Sequence, residues 1–172
     1  DLAEQAVQRF ESRDDLDRHQ CTFEEREEYE SHLDEGTVVY AGVDYGAILA
    51  EASKECDVLL WDGGNNDFPF YRPDLWITVA DPLRPGHETS YYPGEVNFRR
   101  ADVILVNKID YARLGDVESV AHAARDLNPE ARVVRCRSAV RVEDPALIHG
   151  NRVLCIEDGP TLTHVGMTLG AA

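Results

Sequence analysis

The sharpest chemistry in this chain lies in one short stretch, where the apolar run at residues 103–106 leads directly into Asn107-Lys108-Ile109-Asp110. A carboxylate at Asp110 can accept both the N1–H and the exocyclic amine of a guanine base. The stem of Lys108 can cover the plane of that base, and the Asn107 amide can tie neighbouring loops together. Adenine presents the opposite donor–acceptor pattern, so its polar edge would be left unpaired. The plainer reading is a polar strand-to-helix turn in which Asp110 merely caps. Lys54 and Lys108 are the only lysines in the chain. That one of them stands here favours the functional reading.

Two further stretches gain meaning from their order relative to this one. Residues 57–61 are largely apolar and run into Asp62-Gly63-Gly64. A carboxylate at Asp62 could hold a magnesium ion, often through water, while backbone amides near Gly63 and Gly64 approach the terminal phosphate of a nucleotide. Many strands end in Asp-Gly, so this element is weak alone. Ser138-Ala139 follows further on, and a lone dipeptide carries little. Taken together, the three resemble P-loop GTPases. Residues 107–110 correspond to the guanine-specificity element, Asp62 to the Walker B carboxylate, and Ser138-Ala139 to the loop whose backbone amide meets the guanine oxygen. No G-x-x-x-x-G-K-[ST] motif occurs in the chain. The resemblance therefore implies a first strand, phosphate loop and helix upstream of residue 1. The opening Asp1, rather than Met, agrees with a segment cut from something longer.

Such residues need a scaffold that presents them at one rim. Residues 37–40, 57–61, 75–79, 103–106, 132–134 and 152–156 are short, branched and apolar, as strands buried on both faces of a parallel sheet must be. Between them, 44–55 places Tyr45, Ile48, Leu49 and Ala52 on one helical face. Residues 116–127 do the same with Val117, Val120, Ala121 and Ala124. The alternation predicts an α/β fold with a doubly wound, mostly parallel sheet and helices on both faces, in a single incomplete domain spanning 1–172. The first 36 residues read as helical and polar. Helix starts are expected at Ser12/Asp15 and at Thr22/Glu25, with a stop at Gly36. Loops at 63–73 and 81–95 follow strands, where ligands sit in open α/β sheets.

Composition narrows the partners. Thirty-three acidic residues face seventeen basic ones, for a net charge of −16. Such a surface repels nucleic acid and anionic membranes. Acidity with little lysine suggests a salt-adapted cytosol in which counterions screen self-repulsion; a merely acidic mesophile is the alternative. No apolar run is long enough for a transmembrane helix, and no export leader opens the chain. The four cysteines form no C-x-x-C pair, as reduced cytoplasmic thiols would not.

The segments Trp61-Asp62-Gly63-Gly64-Asn65-Asn66-Asp67-Phe68-Pro69-Phe70-Tyr71, Arg84-Pro85-Gly86-His87-Glu88, Ser90-Tyr91-Tyr92-Pro93-Gly94-Glu95 and Glu157-Asp158-Gly159-Pro160-Thr161-Leu162-Thr163-His164, with the acidic segment around residues 14–30, resemble the archaeal cyclic 2,3-diphosphoglycerate synthetase family across essentially the whole chain. The resemblance implies an NTP- and Mg2+-dependent ligase that joins the two phosphates of 2,3-bisphosphoglycerate. It also implies further polypeptide upstream, with a homo-oligomer allowed. An acidic protein must then concentrate its few cations where phosphates sit. Arg84 and His87 become the substrate and catalytic candidates, with Tyr91 as a hydrogen-bond donor and Asn65 and Asn66 lining the pocket. His164 is a weaker candidate. The bland alternatives are a surface salt bridge for Arg84, a packed ring for Tyr91 and an Asx turn at 65–67. The family is described with ATP, whereas residues 107–110 spell guanine chemistry, so the cosubstrate is ATP or GTP. The competing function is a GTP-binding switch or chaperone acting through a protein partner. Without the phosphate loop, this stretch alone is expected to bind nucleotide very weakly and not to turn over.

Overall fold

A computed structural model describes residues 4–64 and 67–154. They form two compact units, one of residues 4–62 with Pro69–Arg72 and the other of residues 63–64, 67–68 and 73–154.

The first unit begins with a strand that hydropathy does not announce. β1 (Gln8–Phe10) pairs antiparallel with β2 (Val39–Ala41), placing Arg9 opposite Tyr40. Between them lie α1 (Arg13–Arg18) and α2 (Phe23–Asp34), and α3 (Tyr45–Ala52) follows β2. The opening 36 residues are thus not wholly helical, and Arg9 lies in a strand rather than on a helix face. The reason is local. β1 buries only Phe10, whose ring packs against His19 and Tyr29 at centroid separations of 5.0 and 5.1 Å.

The predicted start of α2 holds. Thr22 Oγ1 accepts the Glu25 amide at 3.3 Å while Glu25 accepts the Thr22 amide at 2.8 Å, so each satisfies an orphan donor of the first turn. Gly36, with φ +75°, follows the end of that helix. α2 buries no residue, as a polar surface helix should not. Gly42 is required by its surroundings: with φ +146°, a Cβ there would lie 2.5 Å from the Ala6 carbonyl oxygen. α3 starts on the Asp44 carboxylate, which accepts the Ala47 amide at 2.9 Å, and buries Ile48 and Ala52.

Polar contacts at the surface also tie this unit together. The Arg9 guanidinium makes two 2.7 Å bonds to Glu55, and Tyr40 donates to the same carboxylate. These contacts hold Glu55 down at about 2. Asp15, at the start of α1, accepts the amides of Glu11 and Ser12 at 3.0 and 2.9 Å and the Ser12 hydroxyl at 2.9 Å. It too is held at about 2, chiefly by the Glu11 amide.

Residues 57–61 form no strand, contrary to the expectation from their apolar character. Val58 and Leu60 are 73% and 85% exposed. An apolar run becomes a strand only when a neighbour offers a ladder of donors and acceptors. Among the described residues of this unit the ladder is β1–β2, and residues 57–61 do not join it. Trp61 packs edge-on against Phe70, which stacks on Tyr45 at 4.1 Å.

The second unit carries the α/β character. β3 (Ile77–Ala80), β4 (Val103–Val106) and β5 (Arg132–Arg135) form a three-stranded parallel sheet in that order, with Ala80 opposite Val106 and Val106 opposite Arg135. α4 (His87–Ser90) and α5 (Gly94–Arg100) precede β4, α6 (Leu114–Leu127) precedes β5, and a short 3-10 turn occupies Pro145–Leu147. α5 and α6 cover one face of the sheet, burying Ala80, Phe98, Ile104, Val106, Val117, Val120 and Ala124 together. Asn128, at the end of α6, donates to the Phe98 and Ala101 carbonyls at 3.1 and 2.8 Å, so the two helices end on one buried amide.

Among the described residues, α5 and α6 pack on that one face, where the sequence predicts helices on both. On the other face of β3, Ile77 and Val79 are 50% and 63% exposed. The stretch at 81–95 is not a plain loop. Pro93 and Gly86, which read as breakers, stand at the N-caps of α5 and α4 and start helices there. Residues 152–154 form no strand, and the rest of that predicted element lies outside the described residues. Among the described residues, no helix is long and apolar enough to cross a membrane.

Candidate functional site

The carboxyl ends of the three parallel strands bring together Arg84, Asn107, Lys108, Asp110 and Ser138 of the residues that the sequence singled out. The Asn107 amide donates to the Ala80 carbonyl at 3.0 Å, continuing the β3–β4 ladder past the end of β4. Lys108 then turns with φ +55°, a left-handed conformation uncommon outside glycine and asparagine. Its carbonyl accepts the amides of Tyr111 and Ala112 at 3.0 and 3.2 Å, closing the turn. The Ile109 amide reaches the Cys136 carbonyl at 3.2 Å, and the Cys136 amide returns to Val106 at 2.8 Å. These bonds clamp the turn onto the segment that leads to Ser138.

As a result, an oxygen of Asp110 lies 3.4 Å from the Ser138 backbone amide. Two stretches 28 residues apart thus meet at one point. Asp110, Ser138 and Ala139 are all exposed. The Ser138 amide donates to the exposed Asp110 carboxylate, so these two groups are held side by side beyond the strand ends.

The loop after β3 supplies charge. Asp81 directly follows the strand, and its side chain is 17% exposed. Its carboxylate accepts the Leu83 amide at 3.0 Å, the Arg84 guanidinium at 3.0 Å and the Lys108 ammonium at 3.4 Å. Burial pushes Asp81 up, but the Leu83 amide, Lys108 and Arg84 outweigh it and hold it below the usual carboxylate range. The Arg84 Nε is buried and has no hydrogen-bond partner among the described residues. Arg84, His87 and Tyr91 lie on this one segment. The His87 amide donates to the Arg84 carbonyl at 3.1 Å, and the His87 and Tyr91 rings meet edge-on at 5.0 Å.

Asp81 was absent from the candidates drawn from sequence. The signal was a carboxylate ending an apolar run, the same pattern that drew attention to Asp62. The Gly64 amide donates to Asp67 at 3.0 Å, a local turn contact. The Asn97 amide donates to the Asp67 carbonyl at 2.9 Å, while its own oxygen is buried without a partner. Asp62 belongs to the first unit; it is exposed and makes no hydrogen bond or ion pair to the described residues. Gly63 belongs to the second unit. Asn65, Asn66 and His164 lie outside the described residues. Among the described residues, no group of three or more potential ligands is gathered for a metal ion.

Comparison with known proteins turns on one match. Over 171 residues, 99% of this chain, the sequence is 60% identical to the arginine synthetase ArcE of Thermococcus kodakarensis. The chain is a homologue of that synthetase. It spans 38% of the relative's length. The cyclic 2,3-diphosphoglycerate synthetases of Pyrococcus furiosus and Thermococcus gammatolerans are 25% and 26% identical over 100 and 98 residues. Those matches cover 58% and 57% of this chain and 23% and 22% of the two relatives. The likeness to that family is therefore distant and partial. The whole-chain resemblance belongs to the arginine synthetase. No protein-family profile matches the chain. No solved structure matches it either.

Proposed function

We propose that this chain is the nucleotide-handling portion of an NTP-driven synthetase whose complete polypeptide forms arginine. The observation that carries this reading is the 60% identity over 99% of the chain to a relative of that name. None of the three relatives bears the name of a switch or a chaperone, which favours a ligase over a GTPase whose output is a partner interaction.

In a synthetase, nucleotide cleavage drives bond formation, and the protein's part is largely positioning and charge stabilisation. The P-loop type of fold belongs to this reading. Asp110, Asn107 and the Ser138–Ala139 backbone hold the base at the strand ends, supported by the 3.4 Å approach of Asp110 to the Ser138 amide. Lys108 flanks the base. Arg84 and His87, with Tyr91 beside them, face anionic groups of nucleotide or substrate. Magnesium takes one or two carboxylates and otherwise keeps phosphate oxygens and water. Asp62, exposed and without a partner among the described residues, offers the single carboxylate that such a role needs. When bound, the ion neutralises phosphate charge.

The complete protein with Mg2+, inorganic phosphate and either ATP or GTP tests the assignment through isotope exchange between labelled nucleoside di- and triphosphate. Exchange that depends on added arginine is expected. Exchange indifferent to arginine overturns the product assignment. The partial likeness to the two cyclic 2,3-diphosphoglycerate synthetases favours a second reading, cyclisation of 2,3-bisphosphoglycerate. Phosphorus NMR of the same protein with that compound distinguishes them, and a cyclic anhydride signal would select the second.

A further inference from the structure

Lys54, the other lysine of this chain, pairs with Glu51 one helical turn away, with both side chains more than half exposed. Lys108 is held differently. Its backbone is fixed in a left-handed turn, and its ammonium meets the part-buried Asp81 carboxylate, 27 residues earlier in the chain. Its four-carbon stem is therefore tethered at both ends. A lysine stem that is to lie along the face of a flat base must be restricted in this way, since a free side chain would have to surrender its rotamers on binding.

Asp81 is itself well anchored. One oxygen takes the Leu83 amide, and the other takes Arg84 and Lys108. β3 sets its position, because Asp81 follows Ala80, whose carbonyl accepts the Asn107 amide from the end of β4. The loop that carries the cations and the turn that carries the base-binding residues are thereby locked together by one carboxylate. Two cations converge on one anion, so the cluster keeps a net positive charge beside the exposed Asp110.

We propose that Asp81 is a positioning residue for nucleotide binding, acting through Lys108 by holding its stem across the base site at the ends of β3 and β4. This rests on the nucleotide-binding reading of residues 107–110, and the test separates the two.

The experiment is a double-mutant cycle in the complete protein, using Asp81→Asn, Lys108→Met and the pair, with dissociation constants for fluorescent GTP and ATP analogues. Thermal unfolding of each variant checks that the fold is retained. Losing a charged partner should weaken binding of the preferred analogue roughly tenfold when Lys108 is present. In the Lys108→Met background, Asp81→Asn should change it less than about twofold. A purely structural carboxylate would weaken binding equally in both backgrounds, and that result overturns the proposal. If Lys108→Met weakens binding while Asp81→Asn does not, the positioning role alone is overturned. If Lys108→Met has no effect, the base-site reading falls and this proposal with it. Should Asp81→Asn fail to fold, Asp81→Ser enters the same cycle.

Discussion

Residues 57–62 and residues 103–110 look alike as sequence, each an apolar run ending in groups suited to nucleotide chemistry, yet they meet different fates. The second run becomes the central strand of a parallel sheet, with Ile104 and Val106 fully buried beneath α5 and α6. Its terminal residues are fixed by bonds to both neighbouring strands. The first run forms no strand and leaves Leu60 85% exposed. A side chain at the end of an apolar run is positioned when that run pairs with a neighbouring strand that fixes where it ends, as β3 and β4 do for each other. The two units also differ in what holds them. The second is centred on an apolar cluster, whereas the first adds carboxylate networks at Asp15 and Glu55 to a few buried side chains.

The comparison breaks most visibly at Asp110. In the complete protein, Asp110→Ala should reduce the ratio of GTP to ATP affinity by about a hundredfold or more, because the guanine edge would lose the carboxylate that accepts both of its donors. Competition binding measures this, and an unchanged ratio means that the strand end does not read the base. Next in size is Ile104→Ala, which opens a cavity under α5 and α6 and should cost roughly 2–5 kcal/mol in denaturant unfolding. A loss below about 1 kcal/mol, half of that range's lower end, would show that the sheet face is not a packed core.

A smaller effect is expected at Asp15. Replacing it with Ala strands the Glu11 and Ser12 amides and should cost about 1–3 kcal/mol. Acid adds a second measurement of the first unit. Asp15 and Glu55 are both depressed to about 2 when folded, whereas unfolded carboxylates titrate near 4. Their contribution is therefore nearly complete above about pH 5 and is lost progressively as pH falls through about 2. Circular dichroism or hydrogen exchange followed downward from pH 5 should show β1 and α1 losing protection over that window. Protection that instead rose on acidification would contradict the ion-pair geometry. The smallest change is Leu60→Ala, expected to stay within about 0.5 kcal/mol because the side chain is already in water.

Much of this was legible from periodicity and capping chemistry. The spacing of Val117, Val120, Ala121 and Ala124 marked the buried stripe of α6, and Thr22 with Glu25 marked the start of α2. The branched run at 103–106 could be read as a buried strand because both of its faces are apolar. β1 escaped notice because it buries a single ring, too little to leave a pattern. α4 and α5 escaped because prolines and glycines signal breaks in general, and only the surrounding chain shows that Gly86 and Pro93 begin helices here.

By itself, then, the sequence determined which residue types could bind a guanine base, where the strong helices run and that the surface is acidic, since each of these depends on neighbours within a few positions. Only the tertiary structure decided that Asp110 meets the Ser138 amide, that Asp81 ties Lys108 to the loop after β3, and that residues 57–61 stay unpaired. Those outcomes depend on strand order and register. Local residue preferences do not encode them, because a ladder bond needs a partner that lies far away along the chain.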